Sequence, residues 1–292
     1  MNKIIFDNLS YREGKPSAEQ LGFIPLNFCN RGFYGLINGN ISYDFPPNPN
    51  DINATLSTLR QDQDIYFDLE PWFCLPDTAS RVEQLKKKMY ALDLLSRFRQ
   101  IHPNFNKKIG CFGLPDGNIH PENPPAAIEF WKNKNRKLMS GEIWDIIYDT
   151  MNCMFPCCYP YDYGNGDSKK TNDLQLVYNQ LKLDITKEHN VKNYPVYVFW
   201  QPRLKKADGS RPFMTYQDTV LQLNWLMSRC DGIVLWDWDG QIDPQTGDIA
   251  VWDDGADWLR AVKDVQKTFN TPPKVQTMHY TSGTPFKTRF SG

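Results

Sequence analysis

Six short apolar runs, each bounded by Gly, Pro or Asp and separated by amphipathic stretches, constrain the fold of this chain more than any other feature. They are Gly22–Cys29 (GFIPLNFC), Asp64–Pro71 (DIYFDLEP), Lys108–Pro115 (KIGCFGLP), Asn152–Tyr159 (NCMFPCCY), Pro195–Pro202 (PVYVFWQP) and Gly232–Asp239 (GIVLWDWD). A strand that is apolar on both faces must be covered on both, which is the situation of strands in parallel α/β sheets. Between the runs the pattern turns helical. In Thr78–His102, Val82, Leu85, Met89, Leu92, Leu95 and Phe98 recur at steps of three and four. Asn172–Glu188, with Leu174, Leu176, Val177, Leu181 and Leu183, Thr215–Arg229 and Asp254–Thr268 read the same way.

Alternation of strand and helix predicts a (β/α) barrel of the TIM type. Strand starts lie about 43 residues apart, longer than the roughly 30 per unit of a minimal barrel. The excess falls in loops rich in Pro and Gly, at 46–49, 116–125 and 159–169; long loops at one end of a barrel are where its sites are built. Lys3–Phe6 and Phe33–Ile37 are weaker strand candidates, so the barrel is expected to be distorted, with seven or eight strands. An open doubly wound sheet is the alternative, but no Gly-rich phosphate loop follows any strand. The expected organisation is one barrel domain over 1–269 with a β-hairpin inserted at 239–252, where Asp243-Pro244 and Thr246-Gly247 supply turns, then an extended tail over 270–292.

The 292 residues carry 33 basic and 34 acidic side chains, well mixed, so no phosphate-binding face is announced and nucleic acid is not an expected partner. Aromatics make up 14% of the chain and include nine Trp. Trp and Tyr offer flat apolar faces with a hydrogen-bonding edge, which suits the faces of sugar rings. The seven Cys are odd in number, and Cys29, Cys111 and Cys153 sit inside apolar runs, which favours small buried thiols over a disulfide framework. Cys157-Cys158 lack a companion pair and the four His are scattered, so no zinc site is expected. The first ten residues have no apolar segment behind a basic start, and no run reaches the roughly 18 residues of a membrane helix. The expectation is a soluble, signal-less or cytoplasmic protein made in a reducing compartment, with the tail available to another copy or an assembly partner.

Chemistry concentrates at the end of the second run. Residues two apart in a strand share a face, so Tyr66, Asp68 and Glu70 point together while Ile65, Phe67 and Leu69 point away. Two neighbouring carboxylates do not both ionise easily, and a carboxylic acid that keeps its proton near neutrality can protonate a leaving oxygen. The catalytic candidates are therefore Glu70 and Asp68. In Trp236–Asp239 either both tryptophans or both aspartates face the mouth; Trp236 inward is the favoured choice, with Asp239 turning the loop. Trp200 and Gln201 end another strand, and Gln201 either donates to a sugar hydroxyl or satisfies loop backbone. Arg31 and Arg203 are expected to be solvated or ion-paired, and Asp116 and Asp162 to shape turns.

The segment FDLEPW, Phe67–Trp72, resembles the Asp-x-Glu-x-Trp strand end of the hyaluronidase family of glycoside hydrolases. GFYGLINGNI, Gly32–Ile41, is similar in place to that family's Asn-Gly-Gly loop, FPCCYPYDY, Phe155–Tyr163, to its Phe-Pro-x-Cys-Tyr-x-Tyr-Asp segment, and GIVLWDW, Gly232–Trp238, to its Gly-x-Val-Leu-Trp strand. Lys108–Asn118 is similar to the third of these nearly as well, leaving two registers open. The longer chitinase pattern is not met, because Gln63 and Tyr66 occupy its earlier acidic positions.

The resemblance implies a distorted seven-stranded barrel and cleavage of an N-acetylhexosamine-containing polysaccharide with substrate assistance. Glu70 would act as acid and then base, Asp68 would orient the N-acetyl group, Tyr159 or Tyr161 would hold its oxygen, and Trp236 would floor the pocket. Tyr66, Trp72, Trp200, Gln201 and Asp237 complete the candidate substrate-binding set; no metal or organic cofactor is required. Two other readings stay open. One is a lysozyme-like barrel acting on peptidoglycan; the other is a non-catalytic carbohydrate-binding or assembly protein on the same fold.

Overall fold

The computed structural model describes residues 3–11, 13–29, 35–37, 40–42, 48–69, 72, 80–114, 123–237 and 251–270. In chain order the elements are β1 (Ile4–Leu9), α1 (Ala18–Leu21), β2 (Ile24–Cys29), β3 (Gly35–Ile37), β4 (Asn40–Ser42), α2 (Pro49–Ser57), β5 (Asp64–Asp68), α3 (Arg81–Ile101), β6 (Ile109–Phe112), α4 (Pro125–Leu138), α5 (Glu142–Thr150), α6 (Ser168–His189), β7 (Tyr197–Trp200), α7 (Tyr216–Met227), β8 (Gly232–Asp237) and α8 (Asp257–Asn270). The longer helices begin at side-chain caps: Ser80, Asp167 and Thr215 accept from the backbone N–H groups of Glu83, Lys170 and Asp218.

Six strands form one parallel sheet in the order β6-β5-β2-β1-β8-β7. The sheet is curled. β5 and β7 lie four strands apart, which in a flat sheet would separate them by roughly 19 Å, yet the rings of Tyr66 and Phe199 meet at 4.7 Å between centroids. The segment between α5 and α6 is bonded to both edges. Asn152 N–H donates to the Ile109 carbonyl at 3.0 Å, and Phe155 bridges Phe112 on the β6 side. Toward β7, Met154 and Cys157 bridge Val196 and Phe199, and the Tyr197 and Phe199 N–H groups donate to the Met154 and Pro156 carbonyls, each at 2.9 Å. Pro156 has no N–H to give, which accounts for isolated bridges here instead of the continuous strand expected over Asn152–Tyr159.

Among the described residues the sheet has six strands, where the sequence anticipates a barrel of seven or eight. Lys3–Phe6, a weak candidate, overlaps β1, which lies between β2 and β8. Phe33–Ile37, the other, overlaps β3, which pairs antiparallel with β4 and stands apart from the large sheet. The expected hairpin falls on residues outside the described set, except that Val251 bridges Glu13. The tail likewise lies outside it from residue 271; Asn270 ends α8 and exchanges two hydrogen bonds with the Lys3 backbone.

Three apolar clusters divide the interior. Phe6, Leu26, Tyr66, Cys153, Phe155, Tyr197, Phe199 and Val234 fill the concave side of the sheet, with Ile4, Phe28, Phe112, Tyr159 and Trp236 partly covered beside them. The other two lie between the convex side and the helices, one around Ile65, Phe67, Leu94 and Phe98, the other around Val198, Trp200, Leu235 and Leu259. The helical stripe in α3 is buried only in its second half: Leu95 and Phe98 are covered, whereas Val82, Leu85 and Met89 face solvent. Val177 in α6 is also exposed, and that helix buries Gln175, Asn179 and Lys182 instead. Among the described residues no helix is long and apolar enough to cross a membrane. Cys111, Cys153, Cys157, Cys158 and Cys230 are buried free thiols.

Candidate active site

Strand alternation and side-chain contacts group the concave residues into three levels. At the lower, N-terminal level stand Asp64, Cys153 and Tyr197; at the middle level Phe6, Phe28, Tyr66, Phe155, Phe199 and Val234; at the upper, C-terminal level Asn8, Asp68, Phe112 and Trp236. The middle level is closed by aromatic packing. Tyr66 stacks on Phe28 at 4.7 Å and 15°, meets Phe199 edge-on, and lies 5.9 Å from Phe155. Gly110 makes this possible, because a Cβ there would meet the Phe155 ring at 2.4 Å.

The upper level is built on this floor. Asp68 ends β5, half-buried, paired in register with Phe112 of β6. Trp236 lies beside Asn8 in register and stacks on Tyr159 with centroids 5.2 Å apart and planes 13° from parallel. Phe112 completes the group, 6.3 Å from Tyr159 and 6.4 Å from Trp236. Asn8 donates through Nδ2 to the Tyr66 hydroxyl, tying the upper level to the middle one.

Support comes from behind. Gln175 of α6 accepts from the Tyr161 N–H at 3.0 Å and donates to the Tyr159 carbonyl at 3.1 Å, so one side chain fixes the backbone that carries Tyr159. Asp237, on the convex side of β8, is 1% exposed and paired with Arg203 at 3.1 Å. It also accepts from the Tyr11 hydroxyl at 2.8 Å. Burial, then the Asp237 charge, drive the Tyr11 pKa far upward, so the phenol stays a donor.

The predicted residues therefore separate. Tyr66, Asp68, Tyr159 and Trp236 share the concave side, and Gln201 lies just past the end of β7. Trp200 does not join them: it is fully buried against the helices, and its indole donates to Gln222 at 3.3 Å. Asp237 is the structural partner of Arg203, as the ion-paired reading of that arginine expected. Tyr161 turns toward α6, where its ring meets Tyr163 and Tyr178. Trp72 is 1% exposed and packs edge-on against Tyr90 of α3. Asp162 shapes a turn by accepting from Gly166 N–H and the Thr171 hydroxyl. Glu70, Arg31 and Asp116 lie outside the described residues.

The fold resembles that of bee venom hyaluronidase. One structure of that enzyme, in a monoclinic crystal, matches with a TM-score of 0.57 over 92% of this chain and 98% of that one, at 9% identity. Another, in complex with a hyaluronic acid tetramer, gives 0.53 over 82% and 92% at 14% identity. No protein-family model and no curated protein sequence matches the chain. The likeness is one of backbone architecture, and it falls on the family that the strand-end motifs resemble.

Sequence reasoning missed Asn8, Phe112 and Gln175. For Asn8 the strand IIFDNL offers two adjacent polar residues, and only the ion pair of Asp7 with Lys15 on the convex side shows which one faces inward. Gln175 gave no signal, being one polar residue in an amphipathic helix.

Proposed function

We propose that this chain is a glycoside hydrolase that cleaves an N-acetylhexosamine-containing polysaccharide. The observation that carries the reading is the upper level of the concave side, where the Asp68 carboxylate shares a face with the stacked Tyr159 and Trp236. Carboxylates beside flat aromatic faces are what sugar-ring binding and glycosidic bond cleavage both need. The likeness to a hyaluronidase whose crystal holds a hyaluronic acid tetramer supports the same class. The bonds of Asn152–Cys158 to both β6 and β7 support counting that segment as the seventh stave of a closed barrel. The ties between Asn270 and Lys3 support one domain that runs one residue past the expected boundary at 269.

In this scheme Glu70, protonated, gives its proton to the glycosidic oxygen as the bond to the anomeric carbon breaks. The acetamido carbonyl oxygen of the same sugar attacks that carbon, and Asp68 accepts the acetamido N–H to align it. Water then attacks the anomeric carbon from the vacated side, breaking its bond to the acetamido oxygen and giving a proton to the Glu70 carboxylate, and configuration is retained. Tyr159 would hold the acetamido oxygen and Trp236 would lie under the ring.

Glu70→Gln tests the reading. The expected result is a fall in turnover of hyaluronan or chitin oligosaccharides by about a thousandfold, with circular dichroism and Tm unchanged. Unaltered turnover would remove Glu70 from the chemistry, and no cleavage by the unmutated chain across a glycan panel would overturn the hydrolase assignment.

A further inference from the structure

The outer face of the molecule carries a groove that the glycosidase reading does not use. Helices α3 and α5 run side by side in the same direction. The Lys88 ammonium donates to the Ser140 carbonyl just before α5, at 3.3 Å, and the Arg99 guanidinium donates to the Thr150 carbonyl at its end, at 2.9 Å. Between their first turns and the end of α4 lies a cavity of about 630 Å³, whose lining includes Arg81, Leu85, Lys88, Lys137, Glu142 and Ile143.

The apolar side chains of this groove are open to water. Leu85 is 43% exposed and Met89 49%, and Val82 of α3 and Ile146 of α5 also face solvent. Leu85 and Met89 are neighbours on the surface of α3 at a four-residue step, as Ile143 and Ile146 are on α5 at a three-residue step. Two such rows on parallel helices leave a furrow into which the ridge of a third helix packs.

Its charges are unanswered. Among the described residues Arg81 and Lys137 pair with no carboxylate, whereas Arg97 of α3 pairs with Asp93, and Arg136, beside Lys137, pairs with Glu129 and Glu188. Lys88 is half-buried, and burial lowers its pKa against a smaller opposing pull from Asp145. Glu142 lines the cavity but, among the described residues, forms no ion pair with the three cations.

These features select the occupant. Sugar rings seek flat aromatic faces, and no aromatic side chain is among the described residues that line the cavity. The segment 271–292 carries Lys274, Lys287 and Arg289 with neither Asp nor Glu, so it would add like charge. Two copies meeting groove to groove about a two-fold axis would set the same cations against each other. An acidic helix with one apolar face answers both the open aliphatic rows and the unpaired cations.

We propose that the groove between α3 and α5 docks an acidic amphipathic helix of a partner protein, its apolar face on Leu85, Met89 and Ile146 and its carboxylates on Arg81, Lys88 and Lys137. The docking does not depend on the carbohydrate reading, since none of these residues belongs to the concave side.

Fluorescence anisotropy with the full chain tests it, using three stapled helical peptides that share a row of Leu at three- and four-residue steps and carry Glu, Gln or Lys on the flanks. The Glu peptide is expected to bind at least about tenfold more tightly than the Lys peptide, with the Gln peptide between them. Replacing its Leu by Ala should abolish binding. Arg81→Glu combined with Lys137→Glu, both at exposed positions, should reverse the order of the Glu and Lys peptides, a reversal that misfolding does not produce. Met89→Ser should weaken the Glu peptide about tenfold with Tm unchanged. Equal binding of the Glu and Lys peptides, an order that the double substitution leaves unreversed, or no binding of the Glu peptide up to about 1 mM overturns the proposal. Binding to phosphatidylserine vesicles without peptide binding would give the groove to a membrane surface, and self-association that the Glu peptide does not displace would give it to a second copy; either result overturns the proposal as well.

Discussion

The two ends of the concave side are built on opposite principles. At the lower end Asp64 accepts the Lys108 N–H at 2.9 Å and lies 3.7 Å from its ammonium, which also sits 4.8 Å from the Tyr197 ring centroid. Polar atoms there answer one another, and the end is finished as a piece of structure. At the upper end the aromatic faces of Tyr159 and Trp236 remain only partly covered. Polar groups answered within the fold serve stability, whereas aromatic faces left partly open are surfaces a flat ligand can cover. Variants at the lower end should therefore lower Tm and spare glycan binding, whereas Trp236→Ala, at a partly covered ring, should weaken glycan binding more than it lowers Tm.

The sharpest way to break this contrast lies behind the upper end. Arg203→Ala would leave Asp237 charged at 1% exposure without its guanidinium, and the expected loss is about 3–5 kcal/mol in denaturant unfolding. If the loss is that large, the upper level owes its geometry to the convex-side ion pair; a loss below about 1 kcal/mol would match a solvent-screened pair instead. Next in size is Gly110→Ala. Its new methyl would meet Phe155 carbons at 2.4 and 2.6 Å, an overpacking expected to cost about 1–3 kcal/mol, read as a fall in Tm. Retained glycan affinity in the folded fraction would confirm that the middle level is floor and not site.

The smallest expected effect, Lys108→Met, carries a pH signature. Burial lowers the Lys108 pKa, but the Tyr197 hydroxyl and charge, then Asp64, outweigh it, and the net shift is upward from 10.5. A raised pKa means that the native state holds the proton more tightly than the unfolded chain. The stabilisation is therefore complete below pH 10.5 and fades as pH climbs through the native value. The wild type should exceed Lys108→Met by about 1 kcal/mol near pH 8, with the gap closing above pH 10.5. A gap that widens with alkalinity would show that the lysine is not the stabilising partner.

Where each strand runs was readable because hydrophobic continuity and its boundaries are local properties. Five of the six runs contain strands of the large sheet, and Asp64–Asp68 alternates as its sequence implied, with Tyr66 inward and Phe67 outward. Which face lay inside was harder to read for PVYVFWQP, because residues of both parities are apolar and both sides are covered. Trp200 and Phe199 differ only in direction, and nothing local distinguishes a ring that meets a sugar from one that meets a helix. Helices α4 and α5 escaped notice for a related reason. Neither Pro124 nor Gly141 offers a side-chain cap, and Lys, Asn and Arg crowd the surface of α4, so neither start is marked. The partners that hold the site, Gln175 to Tyr159 and Arg203 to Asp237, are joined across 16 and 34 residues of chain, beyond the reach of any local pattern.

The buried thiols give the molecule a built-in chronometer. Burial raises the Cys111, Cys153 and Cys158 pKa values and pushes that of Cys230 up to about 12, so none of these sulfurs can be alkylated while its surroundings stay closed. Cys153, Cys157 and Cys158 lie on the segment that spans β6 and β7, Cys111 lies on β6, and Cys230 lies just before β8. Alkylation of the first group ahead of the others would mean that the staves part at this seam first. Simultaneous modification would mean that the sheet opens all at once.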